Sequence, residues 1–183
     1  FIVIKLGVVM KKLLFILLLS FPLLAGSLTL EKGSVVGHTE MMWETIEPKN
    51  DKLHADVNMD GDDITTLSGK FWVDMKLFVS DKQDRDEHMY KEMKVDKFTS
   101  STFTISKVTA LDSENLYTID GSLNFYGVDK RVSSEAVISK KDGVLIIDAK
   151  SSFKITDFGM EQVCMFMMCV DEKVDFKVHA VLK

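Results

Sequence analysis

The sequence predicts an all-β fold, an eight-stranded antiparallel barrel with one short α-helix. Three observations carry that reading. Apolar and polar residues alternate with period two in eight separate segments, the mark of strands with one buried face. Turn-forming clusters separate most of these segments, and no proline falls inside any of them. Only one stretch, residues 81–93, has the charge arrangement of a helix.

Val35, Gly37, Thr39, Met41 and Trp43 share a face in the first predicted strand, Leu53, Ala55, Val57 and Met59 in the second, and Phe71, Val73, Met75 and Leu77 in the third. The fourth contributes Phe103 and Ile105, and the fifth Tyr117, Ile119, Leu123 and Phe125. Val132, Ala136 and Ile138 align in the sixth, Leu145, Ile147, Ala149, Phe153 and Ile155 in the seventh, and Val174, Phe176, Val178, Ala180 and Leu182 in the eighth. Polar residues between them, such as Asp74, Lys76, Asp120, Asn124, Lys150 and Lys177, then face water. Pro48-Lys49-Asn50-Asp51, Asp60-Gly61-Asp62-Asp63 and residues 127–129 read as turns, and Lys141-Asp142-Gly143 as a hairpin turn whose Asp-Gly pair supplies positive φ angles. At the helix, Ser80 and Gln83 predict a capping box. Asp81, Asp84, Asp86 and Glu87 crowd the N-terminal end, where the helix dipole favours negative charge. No internal repeat, low-complexity tract or second domain boundary interrupts the chain.

Ahead of the strands, Lys11 and Lys12 form a positive n-region, residues 13–24 an apolar core and Ala25-Gly26-Ser27 a small-residue exit, which together predict a secretory signal peptide over residues 1–27. Residues 1–9 read as lying upstream of the true start at Met10. The apolar run is shorter than the ~20 residues that span a bilayer, so no stable membrane insertion is expected after cleavage. The remaining residues 28–183 make one domain, a monomer or homodimer, in a periplasmic or secreted location. All 28 acidic residues lie beyond the leader, whose loss removes Lys5, Lys11 and Lys12 and makes the formal charge of −5 more negative still. Such a balance argues against nucleic acid as a partner and against docking on anionic lipid head groups.

Arg85, Asp86, His88 and Met89, followed by Phe98 and Phe103, resemble the R-D-x-H-(L/M) helix and F-x-x-x-x-F strand of the YceI-like family. Residues 117–130, YTIDGSLNFYGVDK, resemble that family's Y-x-(I/V)-x-G-x-L-x-(I/F)-x-G-V-x-K strand pair, and Asp157-Phe158-Gly159 resembles its late D-(F/Y)-G turn. Three separated elements in the expected order are more specific than any one, and the resemblance covers the chain beyond residue 30. It implies an exported, lipocalin-like β-barrel that carries a polyisoprenoid or other long-chain lipid, with no cofactor and no chemistry of its own.

The residues themselves allow that role. An eight-stranded barrel is either filled by side chains or holds one small ligand. Its inward positions here mix aromatics with Gly37, Ala55, Gly121, Ser134, Ala136, Ala149 and Ser151, which leaves room along the axis. Met41, Met59, Met75, Met89 and Met160 add adaptable thioethers, and each buried methylene of a lipid tail contributes about 0.8 kcal/mol. The candidate ligand-contacting residues are Met41, Trp43, Phe71, Met75, Leu77, Arg85, Asp86, His88, Met89, Phe103, Ile105, Phe125, Phe153, Phe158, Met160 and Phe166. Arg85, Asp86 and His88 either meet a polar head group at the barrel mouth or pin the helix to the strands.

Several motifs fail. Asp56-x-Asn58-x-Asp60-Gly61 begins like a calcium loop, but Leu67 stands where a bidentate Glu is required. Asp157-Phe158-Gly159 lacks the companions of a kinase magnesium site, and no Gly-x-Ser-x-Gly elbow or HExxH spacing is present, so no catalytic residue is assigned. Cys164-Met165-Phe166-Met167-Met168-Cys169 departs from the YceI-like pattern, in which this loop is rich in Pro, Ser, Phe and Gly. It has three readings: a hydrophobic lid over the mouth, with Phe158, Met160 and Phe166 toward the ligand; a disulfide, which requires a tight loop; or a Cu(I) site. In the last, Cys164, Met165, Met167, Met168 and Cys169 supply soft ligands, making the protein a periplasmic copper-binding or metal-responsive one.

Overall fold

The computed structural model describes residues 26–42, 44–165 and 168–183. Residues 1–25, Trp43, Phe166 and Met167 therefore lie outside the described residues, while Gly26 and Ser27, the last two residues of the predicted leader, pair with Met59 and Asn58 as part of β1. Eight long strands form the wall: β2 (Leu30–Met41), β5 (Leu53–Met59), β6 (Ser68–Asp74), β7 (Ser100–Ala110), β8 (Leu116–Phe125), β9 (Val128–Lys141), β10 (Val144–Lys154) and β13 (Lys173–Leu182). Five short strands accompany them: β1 (Gly26–Leu28), β3 (Glu44–Ile46), β4 (Lys49–Asn50), β11 (Cys164–Met165) and β12 (Met168–Cys169). Every pairing is antiparallel, in the order β1-β5-β6-β7-β8-β9-β10-β13-β2-β3.

Because β1 and β2 are consecutive, the two ends of this order meet, and the sheet curls on itself. β2 pairs with β13, whereas Leu28 of β1 stands opposite Val57 of β5. At the crossover Thr29 exchanges both backbone hydrogen bonds with Lys183, at 2.6 and 2.9 Å. At the other end, β4 lies against β2, and Asn50 takes over from regular pairing. Its fully buried side chain donates to the Asp74 carbonyl at 2.8 Å and accepts from the Lys52 N–H at 2.8 Å, so a buried polar group is satisfied on both sides.

The alternation read from the sequence sets the inward face. Val57, Ile138, Leu145, Ala180 and Leu182 are sealed from solvent, and Ile119, Ala136 and Ile147 are nearly so. The Asp142-Gly143 turn has φ values of 53° and 79°, as the hairpin requires. A second such turn sits at Tyr126-Gly127, one residue earlier than the 127–129 expectation. Gly121 serves differently from the room predicted for it. A Cβ there would meet the Phe103 ring at 2.3 Å, so the space that glycine vacates is occupied by a neighbouring aromatic.

Two phase breaks displace expected residues. β6 ends at Asp74, whose carboxylate accepts from the Lys76 N–H at 2.9 Å and caps a short 3-10 turn over Met75–Leu77. That turn advances the chain out of period two, so Leu77 points to solvent, 44% exposed, and Phe78 is buried in its place. In β7 a bulge between Ile105 and Lys107 lets Ile105 and Val108 both face inward.

The helix, α1, spans Gln83–Glu92, shorter than 81–93, and begins after Lys82 with no side-chain cap. The Ser80–Gln83 capping box does not form. Instead the Asp86 carboxylate, nearly buried, accepts from the Ser80 N–H at 2.7 Å, and the Tyr90 hydroxyl donates to the Phe78 carbonyl at 2.6 Å. Both bonds tie α1 to the 78–80 segment that crosses the barrel end.

Candidate functional site

Two adjoining chambers run through the barrel. The inner one, about 140 Å³, is bounded by β-strand side chains including Val35, Leu53, Phe71, Val73, Phe103, Ile119, Leu123, Ile147, Phe153 and Ala180. Its hydroxyls are largely committed: Ser101 donates to the Asn124 carbonyl at 2.8 Å and Ser151 to the Ser133 carbonyl at 3.1 Å. The outer chamber, about 390 Å³, lies beneath α1 and is closed by Met41, Ile46, Pro48, Met89, Met93, Ile155, Met160, Val163, Val170 and Val174. Met75, Phe78, Phe125 and Phe176 border both. Around that junction an aromatic cluster forms: Phe153 stacks on Phe176 with centroids 4.9 Å apart, and Phe158 meets Phe153 at 4.8 Å and Phe125 edge-on at 5.6 Å. These spacings are those at which aromatic pairs attract.

Charge gathers at the outer rim. Lys82 donates to Glu44 at 2.5 Å, Arg85 donates to the same Glu44 oxygen, and Arg85 also reaches Asp81 at 2.6 Å. The Lys82 hydrogen bond, helped by the nearby Arg85 charge, holds the Glu44 carboxyl below the usual carboxylate range. Asp84, His88, Glu92 and Asp171 complete the polar part of this wall. Burial, with Asp86 nearby, pushes the Tyr90 hydroxyl above its ordinary value.

Of the sequence-derived candidates, Phe71, Phe103 and Phe153 line the inner chamber, Met41, Arg85, His88, Met89 and Met160 the outer, and Met75 and Phe125 both. Four stand elsewhere. Leu77 is exposed because of the 3-10 turn; Asp86 is engaged with the Ser80 backbone; Ile105 packs in the core; and Phe158, 1% exposed, supports the aromatic cluster from behind. Trp43 and Phe166 fall outside the described residues. Sequence reasoning missed Phe78, for which the Asp74 cap was the available signal, and Glu44, whose role depends on a contact 41 residues away.

β11 and β12 pair antiparallel as the arms of a hairpin, with Cys164 opposite Cys169 and Met165 opposite Met168. Across that pair the two sulfurs are bonded, with Cα atoms 3.9 Å apart. The disulfide reading is therefore the one that the bonded sulfurs match, while the lid reading turns on Phe166, which lies outside the described residues. The copper alternative is corrected accordingly, since sulfurs joined to each other are not thiolates and the set Cys164, Met165, Met167, Met168 and Cys169 loses both of its anionic ligands. At the hairpin base Val163 accepts from the Val170 N–H at 2.8 Å, and both residues face the outer chamber, which places the hairpin beside the mouth. Asp157-Phe158-Gly159 is a turn, ending a 3-10 helix over Ile155–Phe158 at Gly159, φ 78°.

An antiparallel sheet curled into a barrel around an apolar cavity with a polar rim is a fold of the lipocalin-like type. The family model for the YceI-like domain matches residues 28–182, and the chain belongs to that family. Among solved structures, BcnA of Burkholderia cenocepacia is similar at 18% identity and a TM-score of 0.73, covering 81% of this chain and 95% of its own. A polyisoprenoid binding domain from Saccharophagus degradans, implicated in plant cell wall breakdown, is similar at 11% identity and a TM-score of 0.66, covering 85% of this chain and 97% of its own. The YceI protein of Campylobacter jejuni gives 19% identity and a TM-score of 0.58, covering 71% and 80%. These likenesses show a shared fold. No curated protein matches the sequence.

Proposed function

We propose that the protein is an exported carrier that holds one long-chain amphiphile, an isoprenoid or related lipid, inside its barrel and performs no chemistry on it. The observation that carries this reading is the pair of adjoining chambers, the inner one mostly apolar with a few serines and the outer one carrying its charged residues at the rim. A hydrocarbon tail fits such a path because each methylene withdrawn from water contributes about 0.8 kcal/mol, while a head group left at the rim keeps its hydrogen bonds. The polyisoprenoid binding domain among its structural relatives supports the same class of ligand. Export is supported by the leader pattern in residues 1–27 and by the Cys164–Cys169 disulfide, a bond that persists in oxidising compartments.

Native mass spectrometry of the protein, expressed with its leader and purified from the export compartment without detergent, tests the proposal. A bound mass that organic solvent extracts as a prenyl or acyl lipid is the expected result. A protein that stays empty after incubation with such lipids would refute it.

A further inference from the structure

The rim of the outer chamber carries a charge arrangement that bears on which amphiphile the barrel accepts, an inference that rests on the carrier reading above. Arg85 and Lys82 are the only basic side chains on the wall of the outer chamber among the described residues. A carboxylate or phosphate head would need them. Both already donate to one oxygen of Glu44, and the other terminal nitrogen of Arg85 is held by Asp81. The Arg85 side chain is 16% exposed, whereas Glu44, Lys82 and Asp81 are 36%, 57% and 74% exposed, so the network sits on the solvent edge of the rim with Arg85 as its shielded member. Three further acidic residues, Asp84, Glu92 and Asp171, line the same chamber, the Asp171 carboxylate accepting from the Lys173 N–H at 3.0 Å, and His88 is the remaining ionisable residue. An anionic head group would therefore enter a rim where acidic groups outnumber basic ones, and the fork that normally clasps phosphate is occupied.

We infer that Glu44 is a specificity-determining residue: by engaging Lys82 and Arg85, whose second nitrogen Asp81 holds, it makes the mouth reject anionic head groups, so the cargo is a long-chain amphiphile whose head bears no negative charge. An alcohol or other uncharged hydrogen-bonding head fits the rim, whereas a prenyl phosphate or an ionised fatty acid does not. Glu44 reaches this position from β3, a three-residue strand at the open end of the sheet, where its substitution leaves the long ladders untouched.

The test compares geranylgeraniol with geranylgeranyl phosphate, two probes with the same tail, by equilibrium binding to the full-length protein at low and at physiological salt. The wild-type protein is expected to prefer the alcohol about tenfold or more at low salt, with the preference shrinking as salt screens the rim. In Glu44→Gln, which releases Lys82 and the one terminal nitrogen of Arg85 that Asp81 does not hold, the phosphate-to-alcohol affinity ratio is expected to rise about tenfold. Equal or tighter binding of the phosphate by the wild-type protein overturns the inference while leaving the carrier reading intact, and that comparison needs no variant to fold. Binding of neither probe overturns the carrier reading itself.

Discussion

The inner and outer chambers adjoin, yet they are built from different backbone and therefore discriminate by different physics. Long antiparallel ladders surround the inner chamber, and alternate residues such as Phe71 and Val73 of β6, Leu123 and Phe125 of β8, and Ile147 and Ala149 of β10 deliver apolar side chains to it. Its selectivity is by size and apolarity, which tolerates many tails. Short pieces assemble the outer chamber: α1, β3, the 3-10 turn at Met75–Leu77, the turn at Ile155–Phe158 and the base of the disulfide hairpin. Here charges lie within reach of one another, so selectivity is by electrostatics. On the proposed carrier reading, the walls select the tail and the rim selects the head.

The largest expected effect comes from breaking the junction. Phe125→Ala removes a ring that borders both chambers and contacts Phe153 and Phe158, and it should lower stability by about 3–5 kcal/mol, read from the urea midpoint at unchanged slope. Filling the inner chamber sharpens the division instead. Ala149→Phe should exclude two or three methylenes of a long tail and so weaken its binding by about tenfold or more at ~0.8 kcal/mol each. A short-chain ligand confined to the outer chamber should lose much less, and equal losses for both lengths would argue that the chambers do not act in series.

The mouth can be loosened separately. Cys164→Ser with Cys169→Ser removes a clip around a short loop, worth about 2 kcal/mol by chain entropy. Hydrogen exchange at the Val170 amide, which bonds to Val163, should speed about thirtyfold, and exchange at the Ile147 amide in the long ladder should not follow it. The smallest effect is at Tyr90. Tyr90→Phe leaves the Phe78 carbonyl without its donor and should cost about 1 kcal/mol at neutral pH. Because the folded protein raises the Tyr90 pKa, the stability it contributes is complete below the ordinary tyrosine pKa and is lost as pH rises through the raised one. The variant should therefore show a flatter alkaline limb in a pH series of urea midpoints.

Legibility in the sequence divides along the same line. Period two in β6, β7, β8 and β10 was enough to put Phe71, Phe103, Phe125 and Phe153 on the inner wall, because a ladder that continues for many residues keeps its phase. Where the backbone leaves the ladder, phase is lost. Asp74 capping a 3-10 turn exchanges Leu77 for Phe78, and the bulge after Ile105 brings in Val108. Asp86 shows a second limit: a charged residue in a family-like helix motif turned out to hold the loop at Ser80 rather than the chamber. Glu44 had no local signature at all, since its meaning arises only when β3 and α1 approach. For Cys164 and Cys169 the residue types left three outcomes open, and only the hairpin register, which sets the two opposite each other, selects the disulfide.

On the proposed reading one amphiphile spans both chambers, tail inward and head at the rim. A crystal structure of the full chain with geranylgeraniol tests it most directly. The account predicts continuous density from the rim at Glu44 and His88, past Phe125 and Phe176, to Ile147 and Ala180, with the hydroxyl at the rim end. Density lying outside the barrel, or a chain with its hydroxyl in the inner chamber, would contradict it.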